Sequence, residues 1–138
     1  MSDKDVLNII RAIFAAAGEK NQAVSVAVAG ADGEVIGFLS MDGALIISRK
    51  ISQAKAHSAV VFERDTMYWE KRNPPLDTAD LCDSNFTGLG GGVVVSDGLN
   101  VLGGIGVSGG KSEDDEALAI VGREFIGKSI PRFDTNMD

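Results

Sequence analysis

The sequence predicts an α+β fold: two β-hairpins forming an antiparallel sheet, with amphipathic helices packed against it. Three observations carry this. Two turn signals, Asp32-Gly33 and Asp97-Gly98, each sit between short apolar runs, the spacing of a tight hairpin. Helical apolar stripes lie before, between and after those hairpins, giving the order α-ββ-α-loop-ββ-α, with a fifth strand expected near Phe86. Finally, the helix after the glycine run at 103–110 nearly ends the sequence, leaving no room there for the second strand of a strand-helix-strand crossover. The length, 138 residues, suits one domain spanning 1–138.

The first helix is read from Val6, Ile9, Ile10, Ile13, Phe14 and Ala17, which share one face at helical spacing. Ser2 or Asp3 is the expected cap, and Gly18 or Asn21 the stop. The first hairpin covers residues 24–40, where Val24, Val26 and Val28 alternate with small residues and Asp32-Gly33 suits a type I′ turn. A second helix is expected over about residues 44–64, with Ile47, Ile51, Ala54, Ser58, Val61 and Phe62 on one stripe and Ala56, Ala59 and Val60 opposite, a pattern that suits cover on two sides. Residues 65–90 are the least regular. Pro74 and Pro75 forbid a continuous helix there, and so long a loop is usually functional or an interface. Tyr68 and Trp69 just before it either line a pocket or pack beneath the loop. The second hairpin follows, and Ser112 opens a last helix whose apolar face holds Ala117, Leu118, Val121 and Phe125. The tail after Pro131 is expected to fray.

Composition excludes several classes. A net charge of −7 argues against a surface that tracks nucleic-acid phosphates. No segment approaches the roughly 18 apolar residues of a membrane span. The first residues lack the basic and apolar regions of a secretory signal, so a cytoplasmic protein is expected. The single cysteine, Cys82, cannot form an internal disulfide, and Asp80 and Asp83 beside it disfavour the reactive thiolate. No Ser-His-Asp order, paired-cysteine, zinc-protease or Walker motif is present, and a His-carboxylate metal site is conceivable only across subunits.

One motif requires a decision. Gly104, Gly106 and Gly109 match G-x-G-x-x-G ahead of a helix, the pattern that cradles a dinucleotide pyrophosphate. Here, however, the glycines lie on the return arm of a hairpin, and the chain nearly ends after the helix that follows. That helix opens with Glu113, Asp114, Asp115 and Glu116, which suit a helix N-terminus but repel phosphate. Ser112 and Asp115 instead approximate a capping box. Strand glycines let another backbone or a flat ligand come close.

Three blocks, "MDGALIISRKISQAKAHSAVVFERDT" at 41–66, "GLGGGVVVSDGLNVLGGIGVSGG" at 88–110 and "SEDDEALA" at 112–119, occur in this order and spacing. Together they resemble the GlcG/HbpS-like family, which includes the C-terminal domain of PduO-type proteins and OrfY proteins, and the resemblance covers essentially the whole chain. It implies a profilin-like fold, a five-stranded antiparallel sheet flanked by helices in three α/β/α layers. It also implies homo-oligomers, commonly tetramers or octamers. Members are associated with heme binding, some with heme degradation or cobalamin-related operons.

The candidate site residues each carry two readings. His57, the single histidine, is either an axial ligand to heme iron or a polar residue on the helix flank or an oligomer contact. The N-terminal region, where some heme-binding relatives supply a histidine, has none. Lys55 either pairs with Asp115 or Glu116 or clamps an anionic ligand group. Met41 and Asp42, with Gly43, make a turn or a ligand mouth. Gly90, Gly91 and Gly92 admit a planar ligand or a second subunit. The resemblance therefore implies a homo-oligomeric accessory protein that binds a small ligand, heme or a related tetrapyrrole. The rival is a small lyase, isomerase or hydratase of a carboxylate-bearing metabolite, with Lys55 binding or protonating and Asp115 or Glu116 as base.

Overall fold

The computed structural model describes residues 1–74 and 85–126. Its elements are α1 (Asp3–Glu19), β1 (Ser25–Gly30), β2 (Val35–Ser40), α2 (Ile46–Val61), α3 (Met67–Lys71), β3 (Gly92–Ser96), β4 (Val101–Ser108) and α4 (Ser112–Arg123). The strands form one sheet in the order β2-β1-β4-β3, and all three neighbouring pairs are antiparallel. Cys82 and the tail after Pro131 lie outside the described residues.

Local chemistry sets the ends of α1. Ser2 Oγ accepts from the Asp5 N–H at 3.1 Å and the Asp5 carboxylate accepts from the Ser2 N–H at 2.9 Å, a reciprocal capping box. At the other end the Gln22 N–H reaches Ala17 and the Asn21 N–H reaches Gly18, with Asn21 at φ 54°. This is a Schellman stop built on a residue that tolerates the left-handed region. The same closure ends α2, where Arg64 N–H bonds Ala59, Glu63 N–H bonds Val60, and Glu63 sits at φ 52°.

Strand alternation sends large and small side chains to opposite faces. Val26 and Val28 of β1, Val93 and Val95 of β3, and Ile105 and Val107 of β4 face α1 and α4, where Ile9, Ile13 and Leu118 complete the main core. Each of these fully buried large side chains is worth about 1.5–3 kcal/mol of transfer free energy. The opposite face carries Ala27, Ala29, Val94, Gly104 and Gly106, and α2 lies on it. A Cβ on Gly104 would stand 2.6 Å from the Ala56 carbonyl, and one on Gly106 would collide with that of Ser52. The glycines thus admit the backbone of the chain's own helix α2.

That close approach buries one of the two expected sides of α2 and leaves the bulky side chains of the other exposed or only partly covered. Its buried residues are Ser48, Ser52, Lys55, Ala56, Ser58, Ala59 and Val60, while Ile47 and Val61 of the predicted stripe are exposed. Only small side chains fit beneath a helix drawn onto glycines, so the bulky ones turn outward. The sheet also has four strands among the described residues, not five. The expected strand near Phe86 pairs with nothing in the sheet, because the Thr87 N–H is taken by Ser58 Oγ at 2.9 Å. Both hairpin loops run to four residues, 31–34 and 97–100, with only their glycines at positive φ. They are not the two-residue I′ turn expected at Asp32-Gly33. On α4, Lys111 is the cap and Ser112 makes no capping bond; Leu118, Ala119 and Gly122 are buried, whereas Ala117 and Phe125 are exposed.

Candidate functional site

Helix α2 presents two polar side chains with opposite surroundings. Lys55 points into the protein beneath Gly91. Its Nζ donates to the Val107 carbonyl at 2.8 Å and to Asp115 Oδ2 at 3.2 Å, and the two charged side chains are 3% and 2% exposed. Burial holds the Lys55 ammonium below its usual range, and the attraction of Asp115 opposes that shift. Asp115 Oδ1 also accepts the Gly110 N–H at 3.0 Å, tying the end of the second hairpin to the first turn of α4. Gly91, at φ +123°, lies so close that a Cβ there would sit 2.6 Å from Nζ. A Cβ on Gly92 would strike the Lys55 carbonyl, and one on Gly90 would strike Met67. The faces of Gly90, Gly91 and Gly92 on which a Cβ would project are therefore filled by the chain itself.

His57 lies on another side of the helix. Its Nδ1 is 2.9 Å from the Gly33 carbonyl oxygen. A carbonyl only accepts, so Nδ1 carries the hydrogen and, in the neutral ring, Nε2 keeps its lone pair. The ring packs at 58° against Phe86, with centroids 5.3 Å apart. The same imidazole lines a pocket of about 540 Å³ between the β1–β2 loop and α2. Gly33, Glu34 and Val35 form one wall; Ile46, Arg49, Lys50, Gln53, Ala54 and His57 form the other, with Asn85 at the margin. Neither Arg49 nor Lys50 has an ion-pair partner among the described residues.

The remaining predicted residues are dispersed. Met41 packs on the main core, its Sδ 3.5 Å from the Val24 N–H, and Asp42 is exposed in the turn that follows. Neither lines the His57 pocket. Glu116 is partly buried and no hydrogen bond joins it to Lys55; burial raises its carboxyl above the usual range, helped by the charge of Asp65 and opposed by Arg123 and Lys71. Tyr68 and Trp69 fall on the unforeseen α3 and pack edge to face, Trp69 also against Phe62. Arg49, Lys50 and Gln53 were missed. Their signal was present, since Ile46, Lys50, Gln53 and His57 recur at i, i+4, i+7 and i+11 along one face. No group of three or more His, Cys, Asp or Glu side chains among the described residues could hold a metal ion.

A family model described as "Haem degrading protein HbpS-like" matches residues 1–124. The chain belongs to the HbpS-like family. Protein GlcG of Escherichia coli strain K12 is 38% identical over 102 residues, covering 70% of this chain and 75% of GlcG. The crystal structure of a PduOC:Heme complex superposes with a TM-score of 0.87 at 23% identity, covering 94% of this chain and 98% of that one, a likeness of fold. The crystal structure of Klebsiella pneumoniae protein ORFY gives a TM-score of 0.82 at 28% identity, over 90% of this chain and 88% of that one. No helix of the described residues is long and apolar enough to cross a membrane.

Proposed function

We propose that this HbpS-like chain is a cytoplasmic, homo-oligomeric accessory protein, a tetramer or octamer, that binds heme or a related anionic tetrapyrrole at the His57 pocket. One observation carries the reading: the Gly33 carbonyl fixes the Nδ1–H tautomer and leaves Nε2 as a lone-pair donor on a pocket wall. A backbone acceptor on the second ring nitrogen is the usual support of a metal-ligating histidine. The rest of the lining suits the same ligand. Ile46 and Val35 offer apolar contact to a planar macrocycle, and Arg49 and Lys50, which have no ion-pair partner among the described residues, are placed to meet carboxylate side groups. When bound, heme supplies an iron that accepts imidazole nitrogen and carries redox chemistry. The family description and the PduOC:Heme likeness support the ligand class.

The small-enzyme reading finds less support. Lys55 and Asp115 bond to each other and to backbone, and neither lines the pocket. Their role here is to hold the second hairpin against α2 and α4.

Titration of the purified protein with hemin tests the proposal. The expected result is a shifted Soret band that saturates with the subunit concentration, is lost in His57→Ala, and weakens in a combined Arg49→Ala, Lys50→Ala variant. A spectrum of free hemin at micromolar protein would remove heme from the account.

A further inference from the structure

The two edges of the sheet are finished differently. On β3 the outward backbone groups are taken up by side chains and loop. Thr66 exchanges bonds with Gly92 at 2.8 and 2.9 Å, Asp65 Oδ1 accepts the Val94 N–H at 3.0 Å, and Arg123 donates to the Val94 carbonyl at 3.2 Å. Nothing comparable covers β2. Among the described residues no hydrogen bond from outside the sheet reaches the backbone of Val35–Ser40. Every second residue of an edge strand turns its N–H and C=O away from the sheet, a template for another strand.

Beside that open edge runs an apolar groove of about 780 Å³ between α1 and β2. Its rim carries Leu7, Ile36 and Leu39, which are 52%, 52% and 51% exposed. The adjacent residues Ala29 and Val28 of β1 pair with Val35 and Gly37, so β2 itself carries a bulge at Ile36, which is unpaired in the register and joins Leu39 in the groove. Along α1 the groove is bordered by Asp3, Leu7 and Arg11, spaced four residues apart and so on one helix face. Leu7 sits midway between opposite charges about 12 Å apart along the axis. Neither charge has an ion-pair partner among the described residues.

This arrangement is self-complementary. The geometry points to the β2 edge and its α1 groove as a two-fold interface with a second copy of this chain. In an isologous contact each surface meets itself in reverse. The two β2 strands pair antiparallel into a continuous eight-stranded sheet, Leu7 meets its counterpart, and Asp3 of each copy faces Arg11 of the other. The inference deepens the self-association of the proposed function by naming its surface, and it is independent of heme.

Sedimentation equilibrium of the ligand-free protein, with circular dichroism to establish folding, tests it. The wild-type chain is expected to associate, and Leu39→Lys to halve the assembly mass while remaining folded. Asp3→Arg or Arg11→Asp alone should weaken association about tenfold, through two symmetry-related pairs. The combined Asp3→Arg, Arg11→Asp variant should recover it, because the charges are then exchanged across the axis. A monomeric wild type overturns both self-association and this surface. An oligomer whose mass is unchanged in Leu39→Lys, or a combined variant no better than either single one, overturns the surface alone.

Discussion

Lys55 and His57 stand two residues apart on the same helix, and the protein uses them in opposite ways. The lysine has two of its three N–H donors bonded inside the fold and its charge balanced by Asp115. The histidine has one ring nitrogen committed to Gly33 and the other left over on the wall of a pocket. Spare bonding capacity in an accessible place marks a binding group; consumed capacity in a sealed place marks a structural one. That distinction, more than residue type, separates the site from the scaffold.

Breaking the sealed side should have the largest consequence. Lys55→Met leaves the Asp115 carboxylate buried without its cation, and removal of one partner of a buried pair typically costs about 3–5 kcal/mol. Urea unfolding should show this as a markedly lower midpoint. Lys55→Met combined with Asp115→Leu should recover most of the loss, since an apolar replacement of the whole pair strands no charge. A double variant as unstable as the single one would mean that the pair does more than hold the fold.

The sequence was most readable where local rules and packing agree. The stripe of α1 packs as its spacing predicts, with Val6, Ile9, Ile10, Ile13 and Ala17 buried, and Ser2 caps it. Helix α2 was misread on one side because periodicity assigns its bulky face to the core as well. Here the sheet beneath is glycine and alanine, so Ser48, Ser52, Ala56 and Ala59 go in and Ile47 stays out. For the strand glycines the sequence left open whether another backbone or a flat ligand comes close; at Gly104 and Gly106 it is a backbone, that of Ala56 and Ser52 in α2. The Lys55–Asp115 pair was among the foreseen alternatives, whereas the His57 pocket was not visible. Its second wall comes from a loop 24 residues earlier, and the tautomer of His57 depends on a carbonyl that no side-chain pattern encodes.

Perturbing the open side should alter binding more than folding. Gly33 occupies φ +85°, and a Cβ there would lie 3.2 Å from His57 Nδ1. Gly33→Ala should therefore destabilise by about 1–2 kcal/mol through left-handed strain. It should also displace the imidazole and weaken hemin binding, which parallel unfolding and Soret titrations would separate.

Relieving backbone strain away from both residues should leave the contrast between them unchanged. Asn21 ends α1 at φ 54°, a conformation that glycine adopts without strain. Asn21→Gly should stabilise the protein by up to about 1 kcal/mol, with the hemin titration unchanged. A smaller effect is expected from Glu116, whose folded-state pKa lies above its ordinary value of 4.5. The folded protein then holds this proton where the unfolded chain has released it, so stability falls as pH rises through the interval from 4.5 to the raised value. In Glu116→Gln that slope should flatten in denaturation midpoints measured across the acid range.

The most direct measurement is a hemin titration of His57→Ala beside its urea unfolding curve. Loss of the shifted Soret band, with unfolding free energy lowered by no more than about 1–1.5 kcal/mol for the one hydrogen bond removed, is the predicted result for a half-buried residue whose spare nitrogen serves a ligand. An undiminished Soret shift, or a collapse in stability comparable to that of Lys55→Met, would contradict the division between a sealed lysine and an open histidine.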